Sequence, residues 1–124
     1  MRYWLPVLVY LTVIFSLSAQ PNLTPPLQFR NSDKLYHLLE YGGLGFLITR
    51  ALRAGVAVGP AFAVAGAGLV LGSLVGAVDE TFQRSIPGRE SSALDWAADT
   101  AGAALAQSLI LWLARNGRRE ARWL

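Results

Sequence analysis

Residues 56–78 run for 23 positions without a charged side chain, interrupted only by Pro60. A helix of about 20 residues crosses a hydrocarbon core of about 30 Å, so this run is long enough to span a bilayer with some tilt. Residues 3–19 are a second uncharged run, and residues 33–52 and 94–114 are helical stretches whose charges gather near their ends. Hydrophobic residues make up 53% of the 124 and charged residues 15%, with a mean hydropathy of +0.37. A soluble domain carries about 25% charge, so the pattern predicts one small integral membrane domain. The expected fold is all-α, a polytopic bundle of four transmembrane helices over about 3–19, 33–52, 56–84 and 93–114, followed by a basic tail at 115–124.

The first run also fits the apolar part of a signal peptide, with Ser16, Ser18 and Ala19 near a cleavage point. Its start carries only Arg2, and Tyr3 and Trp4 suit a membrane interface, so an uncleaved span is the expectation. Arg2, Arg50, Arg53, Arg115, Arg118, Arg119 and Arg122 fall on one side of a four-span chain, and Arg30, Lys34, Arg84 and Arg89 on the other. The positive-inside bias then puts both termini in the cytoplasm of an inner (plasma) membrane. The net charge of +3 does not point to nucleic acid, because four of the arginines follow the last apolar run, where anionic lipid heads are the natural partners. With no cysteine, disulfides and thiolate chemistry are excluded. Oligomeric state is not legible.

The charged ends have a pattern. Asp33, His37 and Glu40 recur at steps of four and three, so one helix face carries all three. Gly68, Gly72 and Gly76 repeat every four residues, which lets two helices approach closely in lipid, and the stripe continues to Glu80 and Gln83 or Arg84. Asp95, Asp99, Gly102 and Ala106 form the matching stripe of the last helix. The topology brings these polar ends to one membrane surface, where ionisable groups face a protein interior or a wet cavity. Plainer roles compete. Asp95 stands three after Ser92 as in a capping box, Arg84 can pair with Glu80, Asp79 with Gln83, and Asp33 suits a helix N-terminus. Pro87-Gly88 reads as a turn. Asp33, His37 and Glu40, with Asp79 or Glu80, could ligate a divalent cation such as magnesium, calcium or manganese. No HExxH motif accompanies them, so no metal or cofactor is expected.

At these same positions the sequence resembles the VanZ-like family of small bacterial membrane proteins, named for a teicoplanin-resistance accessory protein. The blocks are Asp33-Lys34-x-x-His37-x-x-Glu40-Tyr41, Asp79-Glu80-x-x-Gln83, Pro87-Gly88-Arg89, and Asp95 with Gly102, in the family order over about residues 32–114. The family usually has asparagine where this chain has Asp99. The resemblance implies a multi-span protein of the cell envelope and treats the polar residues as one site. It carries no settled reaction, and a resistance role is not transferred with the motifs.

The expected centre is therefore His37, Glu40, Asp79, Glu80 and Arg89, with Asp33, Lys34, Tyr41, Gln83, Asp95 and Asp99 around it. Arg89 is expected beside Glu40, Asp79 and Glu80, since its fork matches carboxylate and phosphate alike. Three readings stay open. The site engages a membrane lipid or lipid-linked envelope precursor, its tail among the small-residue faces of the third and fourth helices. Alternatively it is a transferase or hydrolase on that lipid, with His37 carrying the proton, Glu40 or Asp79 orienting it and Glu80 as acid or base. In the third reading the network only holds the fold together. A transporter fits poorly with so short a chain lacking a repeat.

Overall fold

The computed structural model describes residues 1–21, 28–55 and 59–116. They form four helices in an up-down order, α1 (Trp4–Ser18), α2 (Ser32–Gly55), α3 (Ala61–Arg84) and α4 (Ala93–Arg115). Pro6 lies in the first turn of α1, where its missing N–H would have had no helical partner. Asn31, in the left-handed region at φ 62°, turns the chain into α2. The third helix starts at Ala61 and not at 56, because Pro60 is extended (φ −64°, ψ 148°) and serves as its N-cap. Residues 56–58 and most of the basic tail lie outside the described residues. Ser92 caps α4, its hydroxyl accepting from the Asp95 N–H at 3.2 Å.

Small residues decide how the helices meet. α4 packs into the angle between α2 and α3, while α1 leans mainly on α2. A Cβ on Gly102 would run into the Leu38 carbonyl of α2, and one on Gly72 would come to 3.2 Å from the Ala103 Cβ. Gly45 faces Ala103 in the same way, at 3.1 Å from its Cα. The glycine stripe of α3 is thus in the helix contacts as its spacing predicts, and α2 contributes glycines of its own. Polar pairs join the helices too. Thr49 donates to Gln107 at 2.8 Å, the Gln107 amide donates to the Gly45 carbonyl at 3.2 Å, and Ser73 and Thr100 share a hydrogen bond of 2.9 Å.

α3 and α4 are long and apolar enough to cross a membrane, with mean hydropathies of 2.1 and 1.2 over their most apolar stretches. Only 28% and 33% of those stretches are buried, and Val70, Leu74, Val78, Leu105 and Leu109 face outward. The core helix of a soluble protein would bury that apolar face. α1, at 15 residues, is apolar but shorter.

Candidate functional site

The polar ends of α2, α3 and α4 meet at the end of the bundle where α1 and α3 finish. His37 stands at the centre. Its Nδ1 is 2.7 Å from Asp99 Oδ1 and 3.8 Å from Glu80 Oε1, and its Nε2 is 4.0 Å from Asp95 Oδ1. The Ser91 hydroxyl reaches back from the α3–α4 connection and donates to Glu80. Lys34 bridges Asp33, at 2.6 Å, and Asp95. Asp33 and Lys34 occupy the first turn of α2, ahead of its apolar part.

A second polar cluster lies beside the first. Tyr41 donates to Asp79 Oδ2 at 2.9 Å, and the Gln83 amide donates to the same oxygen at 3.3 Å and to the Ser18 hydroxyl at 3.1 Å. Both Tyr41 and Asp79 are fully enclosed, so this chain of bonds ties α2 and α1 to α3.

An open cavity of about 1410 Å³ lies over the first cluster, lined by Lys34, His37, Glu40, Arg89, Ser91 and Asp95 among others. Arg89 arrives there through a turn with Pro87 second and Gly88 third (φ 81°), closed by the Arg89 N–H on the Ile86 carbonyl at 3.2 Å. Only a residue tolerant of positive φ fits that third position, hence the glycine. Arg89 Nε is buried without a hydrogen-bond partner. A narrower apolar groove of about 340 Å³, lined by Tyr10, Val13, Ile14 and Leu39, runs between α1 and α2. Leu17, Tyr36 and Glu40 border both spaces.

Several expectations change. Among the described residues Arg89 makes no ion pair, so the expected fork onto Glu40, Asp79 and Glu80 is not formed, although Arg89 shares the cavity wall with Glu40. Those acids are engaged from other directions: Asp79 by Tyr41 and Glu80 by Ser91. Asp79 and Glu80 lie behind the cavity and do not line it. Asp99, expected only in the surround, is the residue that holds His37, in place of Glu40 or Asp79. Asp33 is 58% exposed and bound to Lys34, so it does not join His37 in a ligand set. Arg84 is exposed and makes no pair with Glu80. The small-residue faces of α3 and α4 are filled by neighbouring helices and offer no room for a lipid tail. Ser91 carries no signal in the sequence, having no periodic relation to Glu80 eleven residues away. No family model, curated protein or solved structure matches this chain.

Proposed function

We propose that the chain is a four-span inner-membrane protein of the VanZ-like kind, both termini cytoplasmic, whose outer-end cavity seats the head of an anionic envelope lipid or lipid-linked precursor. One observation carries the reading. A cavity walled by charged side chains, among them Arg89 with its partnerless Nε, opens across Leu17, Tyr36 and Glu40 onto an apolar groove between α1 and α2. A guanidinium with an unmet donor suits a phosphate oxygen, and the groove suits the first carbons of an acyl or prenyl chain. The tail thus lies along α1 and not against α3 and α4.

Native mass spectrometry of the detergent-solubilised protein with phosphatidylglycerol tests the binding. Arg89→Gln removes a charge-assisted hydrogen bond of about 1.5 to 3 kcal/mol, so retained lipid should fall about tenfold or more. Equal retention by the variant and the wild type would sink the head-group assignment.

The orientation has its own test. Because the sequence has no cysteine, single cysteines placed at Gln28 and Gly59 report alone. Gln28→Cys should react with an impermeant maleimide in intact cells, and Gly59→Cys only after the membrane is opened. The reverse pattern would invert the topology.

Turnover of the bound lipid is the second reading, favoured by the placing of His37 in the cavity wall while Asp99 fixes its ring. It predicts a lipid that accumulates in a deletion strain and is not cleared by His37→Ala or Glu80→Gln protein. A purely structural network predicts that folded variants leave the lipid profile unchanged.

A further inference from the structure

We propose that His37, Glu80 and Asp99 form a binding site for a divalent first-row cation, zinc or manganese. The inference goes beyond the lipid reading and does not rest on it. One ligand atom from each residue, contributed by α2, α3 and α4 in turn, lies within 4.8 Å of the other two. A cation there would join three helices at a point no backbone bond connects.

The two carboxylates share a telling asymmetry. Glu80 accepts from Ser91 through Oε2, while Oε1 is buried with no partner. Asp99 accepts from His37 through Oδ1, while Oδ2 is likewise buried and alone. The residues are 4% and 0% exposed, so water does not satisfy these oxygens from the surface. Glu80 has the arrangement of a ligating carboxylate, one oxygen fixed by a protein donor and the other offered to the metal, and Asp99 frees Oδ1 as well once His37 Nδ1 gives up its proton. An orphaned carboxylate oxygen in a closed site otherwise costs its full desolvation.

Charge points the same way. Among the described residues His37 is the only basic group within 4.0 Å of either carboxylate. Lys34 is committed to Asp33 and Asp95, and Arg89 makes no ion pair among the described residues. Two carboxylates against one imidazole leave a negative excess that a dication removes. Gly76 provides the room, since a Cβ at that position would come within 3.0 Å of Asp99 Oδ2. His37, in the cavity wall, marks the route by which a cation enters.

The donor set selects the ion. One imidazole nitrogen with two carboxylate oxygens suits zinc or manganese, whereas calcium takes six to eight oxygens and magnesium keeps most of its water. Three protein ligands leave at least one position for an exchangeable water. On loading, the cation takes the place of the Nδ1 proton, which passes to solvent, and His37 becomes a ligand instead of a proton carrier.

The test uses the full chain, purified in detergent without a polyhistidine tag, stripped with a chelator and titrated with manganese chloride or zinc chloride alone. The wild type should retain about one cation per chain. Affinity should fall by at least about tenfold in Glu80→Gln and in His37→Ala, and stay unchanged in Ser108→Ala, on the exposed side of α4. A second readout needs no variant. His37 is the sole histidine, so imidazole nitrogen modulation in the electron spin echo of bound manganese can come from no other residue. Failure to retain either cation, or retained manganese without that modulation, overturns the site. So does undiminished affinity in a folded Glu80→Gln variant. None of these results depends on lipid binding, which the phosphatidylglycerol measurement judges by itself.

Discussion

Replacing Gly102 with alanine should cost this protein about 3 kcal/mol of stability or more, one of the largest effects of any single methyl in the chain. The added carbon would collide with the Leu38 carbonyl, with Leu38 C at 2.9 Å and Gly42 N at 3.0 Å. All three atoms are backbone, so no side chain can rotate away, and relief requires α2 and α4 to separate. Separation in turn loosens the contact of Gly45 with Ala103 and stretches the hydrogen bond from Gln107 to the Gly45 carbonyl. Overpacking ordinarily costs about 1 to 3 kcal/mol, and a clash confined to backbone belongs at or above the upper end. Gly66→Ala is the control, since nothing lies within 4 Å of the position on the outer side of α3. There the better helix propensity of alanine should stabilise by about 1 kcal/mol. Denaturation by SDS in mixed micelles, followed by circular dichroism, reads both variants. Equal midpoints for Gly102→Ala and wild type would mean that α2 and α4 are not in backbone contact.

How far the sequence carries is clear from the same glycines. Gly68, Gly72 and Gly76 announce their role by spacing alone, because a four-residue repeat keeps one face toward a neighbour in any helix. Gly42 and Gly45 do not, since their three-residue offset is shared by chance with many helical glycines. Which residues across the bundle they meet depends on how each helix is rotated. The polar end shows the same boundary. Periodicity and topology place His37, Glu80 and Asp99 at one end, and they do lie together. Asp33, although on the same stripe as His37, is a full turn earlier and pairs with Lys34 instead of joining the His37 cluster. The pairing of His37 with Asp99 spans 62 residues and is set by helix rotation, which no local pattern encodes. Arg89 is legible as a turn residue from Pro87-Gly88, yet the direction of its side chain depends on how Ser91 pulls the connection back onto α3. The start of α3 follows from a local rule, that proline ends a helical run on its N-terminal side, and there the apolar count alone misleads.

Asp99→Asn and Asp99→Ala should part company sharply. In the metal-free protein alanine removes the hydrogen-bond partner that His37 Nδ1 has among the described residues and leaves a hole at a fully enclosed position. Breaking a buried pair of this kind costs about 3 kcal/mol or more, because the surviving polar group keeps its desolvation and loses its partner. Asparagine keeps the acceptor, since its carbonyl oxygen can take the place of Oδ1 at 2.7 Å from the ring nitrogen. Its amide group then replaces the orphaned Oδ2 and offers two donors where Glu80 Oε1 is the unmet acceptor. One negative charge also leaves a pocket that holds two carboxylates around one imidazole. Asparagine should therefore leave metal-free stability within about 1 kcal/mol of wild type or raise it, while alanine lowers it. Cation retention should go the other way for asparagine, falling by about tenfold or more, because an amide nitrogen is no ligand and the neutral side chain gives up the charge that draws a dication. The combination of intact folding and lost cation separates the chemistry of the site from its architecture. Should asparagine destabilise the stripped protein as much as alanine does, the charge of Asp99, and not its hydrogen bond, would be what orders His37. The orphaned oxygen would then need another explanation, such as a proton shared between Glu80 and Asp99.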